Sequence, residues 1–227
     1  MHIEIDHGCI IFYGFGTKRM GTESSHYAKQ IVTTQKSPQL FYMHVPKTGG
    51  TSIQAVMKEC DLFTAPYKTI DGQKLPRPTD HYTLAERDVL NAAVDLKQYD
   101  VLCTIRDPVA RFMSDAQHYK VSPETFKDMC SKAQPSDVFE NGKDVYQHCR
   151  PQTDYTHTPE GDPLCTYIVR QDNINEEVPS ILQKYGCAVH HMPKMNVSHN
   201  QKIELSDSVL SFIQNKYKRD YELLFTT

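Results

Sequence analysis

Nine consecutive residues, His44-Val45-Pro46-Lys47-Thr48-Gly49-Gly50-Thr51-Ser52, bring together the side-chain types that hold an oxyanion. The adjacent Gly49 and Gly50 let backbone N–H groups come close to an anion, and a helix starting there adds favourable partial charge. Lys47 supplies a full positive charge, while Thr48, Thr51 and Ser52 offer hydroxyl donors. The order of residues excludes the nucleotide-triphosphatase loop, which needs G-x-x-x-x-G-K-[ST] with lysine after the glycines. Here Lys47 precedes them and the first glycine is absent. A glycine-rich turn with an incidental lysine would bind nothing, but the flanking strand and helix patterns weigh for anion binding.

Those flanks set the architecture. Residues 40–45 are a short apolar run typical of a buried strand, and residues 51–60 carry a helical pattern. Residues 101–105 are a second buried strand, followed by Arg106-Asp107-Pro108 and a helix to about Tyr119, with Pro108 favourable in its first turn. Residues 84–96 and 176–185 are helix-like, the second stopping at Gly186, and residues 187–191 suggest another strand. Ser206 is placed to cap a terminal helix whose apolar face includes Val209, Leu210, Phe212, Ile213 and Tyr217. Strands alternating with helices predict an α/β single domain, a mainly parallel central sheet flanked by helices, over residues 38–227. Residues 1–37 are expected to be an N-terminal extension packed on it, with a strand or hairpin over residues 7–15. Gly14-Phe15-Gly16 lacks the third glycine and opening helix of a dinucleotide fingerprint.

The run Pro46-Lys47-Thr48-Gly49-Gly50-Thr51-Ser52 resembles the 5′-phosphosulfate motif of sulfotransferases that use 3′-phosphoadenosine-5′-phosphosulfate (PAPS). It most resembles the branch that includes heparan sulfate 2-O- and 6-O-sulfotransferases and related small bacterial enzymes. The resemblance implies a P-loop-like sulfotransferase fold, PAPS as cofactor, 3′-phosphoadenosine 5′-phosphate (PAP) as product, and Lys47 against the oxygen bridging to the transferred group. Residues 104–114 are similar to the family's 3′-phosphate motif, whose roles fall on Arg106 and Ser114. Arg106 offers a fixed donor fork, and Ser114 lies two turns along the helix. Arg111 is expected to form a structural ion pair or support Asp107. The resemblance continues at residues 150–155, placing Gln152 on the substrate side, and at residues 168–174, with Asp172 in place of the family's glutamate. Residues 195–199 resemble a loop that closes over the nucleotide, bringing Asn196 and Ser198 to the cofactor. Residues 218–223 resemble the terminal helix. Asn196-Val197-Ser198 also fits a glycosylation sequon, which a position beside the cofactor argues against.

Sulfuryl transfer resembles phosphoryl transfer, in which catalysis is mostly positioning and charge stabilisation. Lys47 would stabilise the leaving oxygen, and the acceptor needs a general base, for which histidine is the default. His81 stands between the two cofactor motifs, in a segment similar to the family's H-[FY]-[TS]-L. His118, four residues after Ser114 on one helix face, is the second candidate and is placed on the substrate side. His44 is expected to be structural. No metal is required. A small-molecule kinase would need a correctly ordered loop, Mg²⁺ and ATP, and a non-catalytic nucleotide-binding module would tolerate loss of His81.

Composition narrows the partners. With 39% hydrophobic and 23% charged residues the chain is globular. A net charge of −3 without a basic stripe argues against nucleic acid. No apolar run approaches the roughly 20 residues of a membrane span. No basic leader with an apolar stretch opens the chain, so a cytoplasmic setting is expected. Seven cysteines, an odd number without Cys-x-x-Cys, suggest reduced thiols; Cys149 and Cys165 are the pair to suspect in an oxidising compartment. The polar, acid-rich residues 123–162 are expected to mix short helices with a mobile lid. Such a lid would suit a small neutral or cationic hydroxyl or amine acceptor over a sulfated glycan, the alternative.

Overall fold

The computed structural model describes residues 2–6, 9–13, 39–60, 62, 69–70, 73–74, 81, 83, 99–135, 144–189, 192–193 and 204–226. The chain divides into two compact units, residues 1–37 and 38–227. In the first, β1 (His2–Asp6) and β2 (Cys9–Tyr13) pair antiparallel, so the strand expected over residues 7–15 is one arm of a hairpin that starts earlier.

In the second unit β3 (Gln39–Met43) leads into α1 (Gly50–Glu59), and β4 (Thr69–Ile70) pairs antiparallel with β5 (Gln73–Lys74). Then come β6 (Tyr99–Ile105), α2 (Pro108–Tyr119), α3 (Pro123–Lys132), α4 (Val145–Cys149) and α5 (Thr153–Thr156). The chain closes with β7 (Tyr167–Arg170), a 3₁₀ turn (Gln171–Asn173), α6 (Ile174–Gln183), α7 (Asp207–Lys216) and α8 (Lys218–Leu224). The sheet is parallel, in the order β3-β6-β7. This is the α/β architecture expected.

Strand periodicity divides the core. Leu40 and Tyr42 of β3 pack with Ile53, Met57, Leu102, Val178 and Leu182, whereas Phe41 and Met43 face Val45, Val101, Cys103 and Tyr155. Burial on both faces explains why β3 and β6 lack alternation in sequence. A third cluster, including Phe112, Phe126, Val209, Ile213 and Tyr217, joins α2, α3 and α7. The helices start where their caps dictate. Asp107, Ser122 and Ser206 accept hydrogen bonds from the N–H groups of Ala110, Thr125 and Val209, and Pro108 and Pro123 occupy first turns.

Several expectations are corrected. Residues 123–162 are not a polar lid over their described part. Phe126, Cys130, Gln147, His148, Cys149, Gln152 and Tyr155 are buried there, because sparse apolar residues on short helices are hidden in a polar average. Residues 187–189 form no strand. Cys187 is instead bonded to Cys60, and Cys130 to Cys149, with Cα–Cα separations of 5.5 and 5.2 Å that suit disulfides. The expectation of seven reduced thiols therefore fails for four of them. Cys149 does not pair with Cys165, which is free and buried like Cys103. The helix expected over residues 84–96 and the loop carrying Asn196 and Ser198 lie outside the described residues. Among the described residues no helix is long and apolar enough to cross a membrane.

Candidate functional site

A cavity of about 550 Å³ opens where all three parallel strands end, lined by His44 and Lys47 after β3, Arg106 after β6 and Gln171 after β7. Open α/β sheets bind ligands at this edge.

The loop from β3 to α1 is bent at two residues, Lys47 with φ 63° and Gly49 with φ 92°. A left-handed lysine costs about 1–2 kcal/mol, so its surroundings must impose it. Two sets of contacts do so. The buried Thr48 hydroxyl donates to Val45 O at 2.8 Å and meets Thr104 Oγ1 at 2.9 Å, which in turn meets Tyr42 Oη at 2.7 Å. From α2 the buried Arg111 guanidinium donates to Pro46 O at 3.1 Å, His148 O at 2.8 Å and Arg150 O at 2.8 Å. Burial opposes the charge on Arg111, but Asp115 and the neighbouring Tyr217 and Asp220 outweigh it and lift its pKa above the usual value. Both assignments made from sequence change. The Thr48 hydroxyl is spent inside the protein and does not face an anion. Arg111 binds carbonyls, while Asp107 caps α2.

The glycines answer to packing as well as to ligand approach. A Cβ on Gly50 would lie 2.2 Å from the His44 ring, and one on Gly49 would lie 2.9 Å from Ile174 Cδ1. Thr51 is exposed and lines the cavity; Ser52 is half-buried outside the lining.

Arg106 is half-buried at the cavity, its Nη1 donating to Lys47 O at 3.4 Å. Burial lowers its pKa, with Asp172, Asp115 and Asp107 opposing. Its backbone N–H donates to Gln152 Oε1 and its carbonyl accepts from Gln152 Nε2, both at 2.8 Å. Asp220 of α8, fully buried, accepts from the N–H groups of Gln152 and Thr153 at 2.9 Å each. Gln152 is fully buried and takes the place of a neighbouring strand for Arg106. Its expected substrate-side position is therefore corrected: it positions Arg106. Ser114 and His118 of α2 both line the cavity.

A chain of neighbouring histidines also lines the cavity. Centroid separations are 4.6 Å for His44–His81, 5.1 Å for His81–His148 and 5.2 Å for His118–His148, the last pair stacked. His44 thus lines the cavity besides packing on Gly50. His81 Nδ1 lies 3.3 Å from His44 O, and since a carbonyl only accepts, Nδ1 carries the proton and Nε2 the lone pair. Burial, then the neighbouring His44 and His148, push the His81 pKa well below its ordinary value. Burial and Lys47 lower that of His118. His148 behaves oppositely. Its Nδ1 is 2.6 Å from Asp115 Oδ1 and its Nε2 3.2 Å from Asp144 Oδ2. These carboxylates outweigh burial and raise its pKa. Against burial, His148 and the hydroxyl of Tyr119 hold Asp144 far below the usual carboxylate range.

Sequence reasoning passed over His148 and Asp115, counted Asp144 only among the acids of the expected lid, and noted Asp220 only within the terminal helix. Only the i,i+4 spacing of Asp144 and His148 signals any of them. The arrangement can hold an anion with Lys47, the loop N–H groups and Arg106, and can offer an imidazole lone pair to a proton donor beside that anion. Residues 29–225 match the profile of the Sulfotransferase family. No curated protein and no solved structure matches the chain. The chain belongs to the sulfotransferase family.

Proposed function

We propose that this family member transfers a sulfuryl group from PAPS to a hydroxyl or amine of a small acceptor, with a histidine as base, no metal in the transfer step, and PAP as the product. The observation that carries this reading is the meeting of Lys47 and Arg106, 59 residues apart, at the carboxyl ends of adjacent parallel strands. Lys47 and the N–H groups of Gly49, Gly50 and Thr51 hold the phosphosulfate, with Ser52, outside the cavity lining, taking no part. Arg106 and Ser114 take the 3′-phosphate, and Asn196 and Ser198 close on the nucleotide as the family resemblance implies.

The acceptor oxygen or nitrogen bonds to sulfur as the bond from sulfur to the phosphate oxygen breaks. The acceptor proton passes to His81 Nε2, whose lone pair is secured by the Nδ1 contact to His44 O and by a lowered pKa. Charge develops on the leaving oxygen beside Lys47. His118 is the second candidate for the base.

Asp144, a carboxylate in the cavity lining, favours a neutral or amine-bearing small molecule over a polyanionic glycan. The two disulfides favour an oxidising compartment in place of the cytoplasm expected from reduced thiols. Calorimetric titration tests the class: PAP is expected to bind without metal, and binding of ATP–Mg²⁺ but not PAP would overturn the reading. A PAPS screen across small hydroxyls, small amines and heparan-type chains tests the acceptor. Turnover of the heparan-type chains alone would reverse the small-acceptor assignment.

A further inference from the structure

We propose that His81, Asp144 and His148 form a site for a zinc-class dication, with two imidazole nitrogens and one carboxylate as ligands and a fourth position open to the cavity. Their ligand atoms lie within 4.8 Å of one another. Asp144 Oδ2 and His148 Nε2 are 3.2 Å apart. Two ligands held about 2.0–2.1 Å from a tetrahedral centre stand about 3.3 Å apart, so this pair already spans one edge. His81 completes the face by a shift of roughly an ångström or two.

The second observation lies behind the ligands. Metal-binding histidines hand their outer ring N–H to a carboxylate or a backbone carbonyl, which fixes the ring and raises its basicity. Both versions are present: His148 Nδ1 meets Asp115 at 2.6 Å, and His81 Nδ1 donates to His44 O at 3.3 Å. Each leaves Nε2 as the inner atom. Asp144 is backed in the same way, its Oδ1 accepting from Tyr119 Oη at 2.8 Å while Oδ2 faces His148. Three ligands, each oriented from outside by a partner that does not reach the centre, are more than a chance gathering of side chains. Two carboxylates also crowd His148, and a dication compensates their charge. Two imidazoles with one carboxylate select zinc and its neighbours over Mg²⁺ or Ca²⁺, which prefer all-oxygen sites.

Ion binding does not depend on the sulfotransfer reading, but its consequence does. The ion and the acceptor proton compete for the same His81 Nε2, so an occupied site blocks transfer.

The test uses the full chain after chelator treatment, titrated with Co²⁺ as a visible probe. One Co²⁺ per chain is expected, with the strong absorption of a four- or five-coordinate ion, displaced by Zn²⁺ and not by Mg²⁺. Asp144→Ala should abolish the band, and Asp115→Asn, which touches no ion, should weaken affinity by about 10-fold or more. Circular dichroism confirms that each variant is folded; His148→Ala serves if Asp144→Ala is not. No saturable binding, or binding that survives removal of Asp144 or His148 in a folded variant, overturns the site. PAP binding without Co²⁺ binding sinks the ion site alone. Co²⁺ binding without PAP binding sinks the sulfotransfer reading and leaves the site standing.

Discussion

The nine consecutive residues of the cradle are fixed by hydroxyls, carbonyls and the guanidinium groups of Arg106 and Arg111. The histidine chain draws His44, His81, His118 and His148 from four separate segments, and its central member is fixed by carboxylates. The difference follows from the work each does. A cradle must stay positive, and a carboxylate among its supports would cancel the field that Lys47 and the loop N–H groups present. A proton acceptor needs a neutral imidazole, and a charged neighbour lowers its pKa at the price of a counter-ion. Asp115 and Asp144 raise the pKa of His148 against its burial, whereas burial first, and then His44 and His148, lower that of His81.

The largest effect is expected at Lys47. Lys47→Ala is expected to cut kcat by about 10²- to 10³-fold, with a much smaller change in PAP affinity measured by calorimetry. Equal losses in both would make Lys47 a binding residue and nothing more. His81→Ala is expected to lower kcat by about 10²-fold with PAP affinity unchanged. Near-normal turnover there, together with its loss in His118→Ala, would move the base to α2. Arg106→Ala should raise the Kd for PAP by about 10- to 100-fold, the loss of charged hydrogen bonds worth about 1.5–3 kcal/mol. Gln152→Ala should follow in the same direction, since it releases both backbone bonds that aim Arg106. Unaltered PAP affinity in Arg106→Ala would remove it from the 3′-phosphate site. The smallest effect sharpens the contrast. Tyr42→Phe deletes one neutral bond beneath the loop and should cost about 1 kcal/mol in urea unfolding, with PAP binding retained.

What sequence made legible divides along the same line. The loop's position was readable because its residues are contiguous between a buried strand and a helix, and the α/β class followed from that alternation. The reason for Gly50 was not, because the ring it accommodates belongs to His44 and only the folded chain brings the two within contact. Gln152 was placed near the site by the family resemblance but given the wrong face, since a buried amide that completes a strand edge has no signature of its own. His148 carries no periodic context, and its second carboxylate, Asp115, comes from 33 residues earlier. The Cys60–Cys187 pair spans 127 residues, a separation that no spacing rule reveals.

That last bond has a topological consequence. Cys60 directly follows α1, so the covalent ring it closes with Cys187 begins where the helix of the cradle ends. His81, Arg106, Ser114, His118, Asp144, His148 and Gln171 all lie within the ring; His44 and Lys47 sit just before it. One backbone cut anywhere between residues 61 and 186 opens the ring and releases nothing. The shorter ring of Cys130 and Cys149 is nested inside and keeps a cut within it doubly bridged. A nicked molecule therefore migrates as one species until a reductant is added. Until then both sides of the cavity remain tethered at high effective concentration.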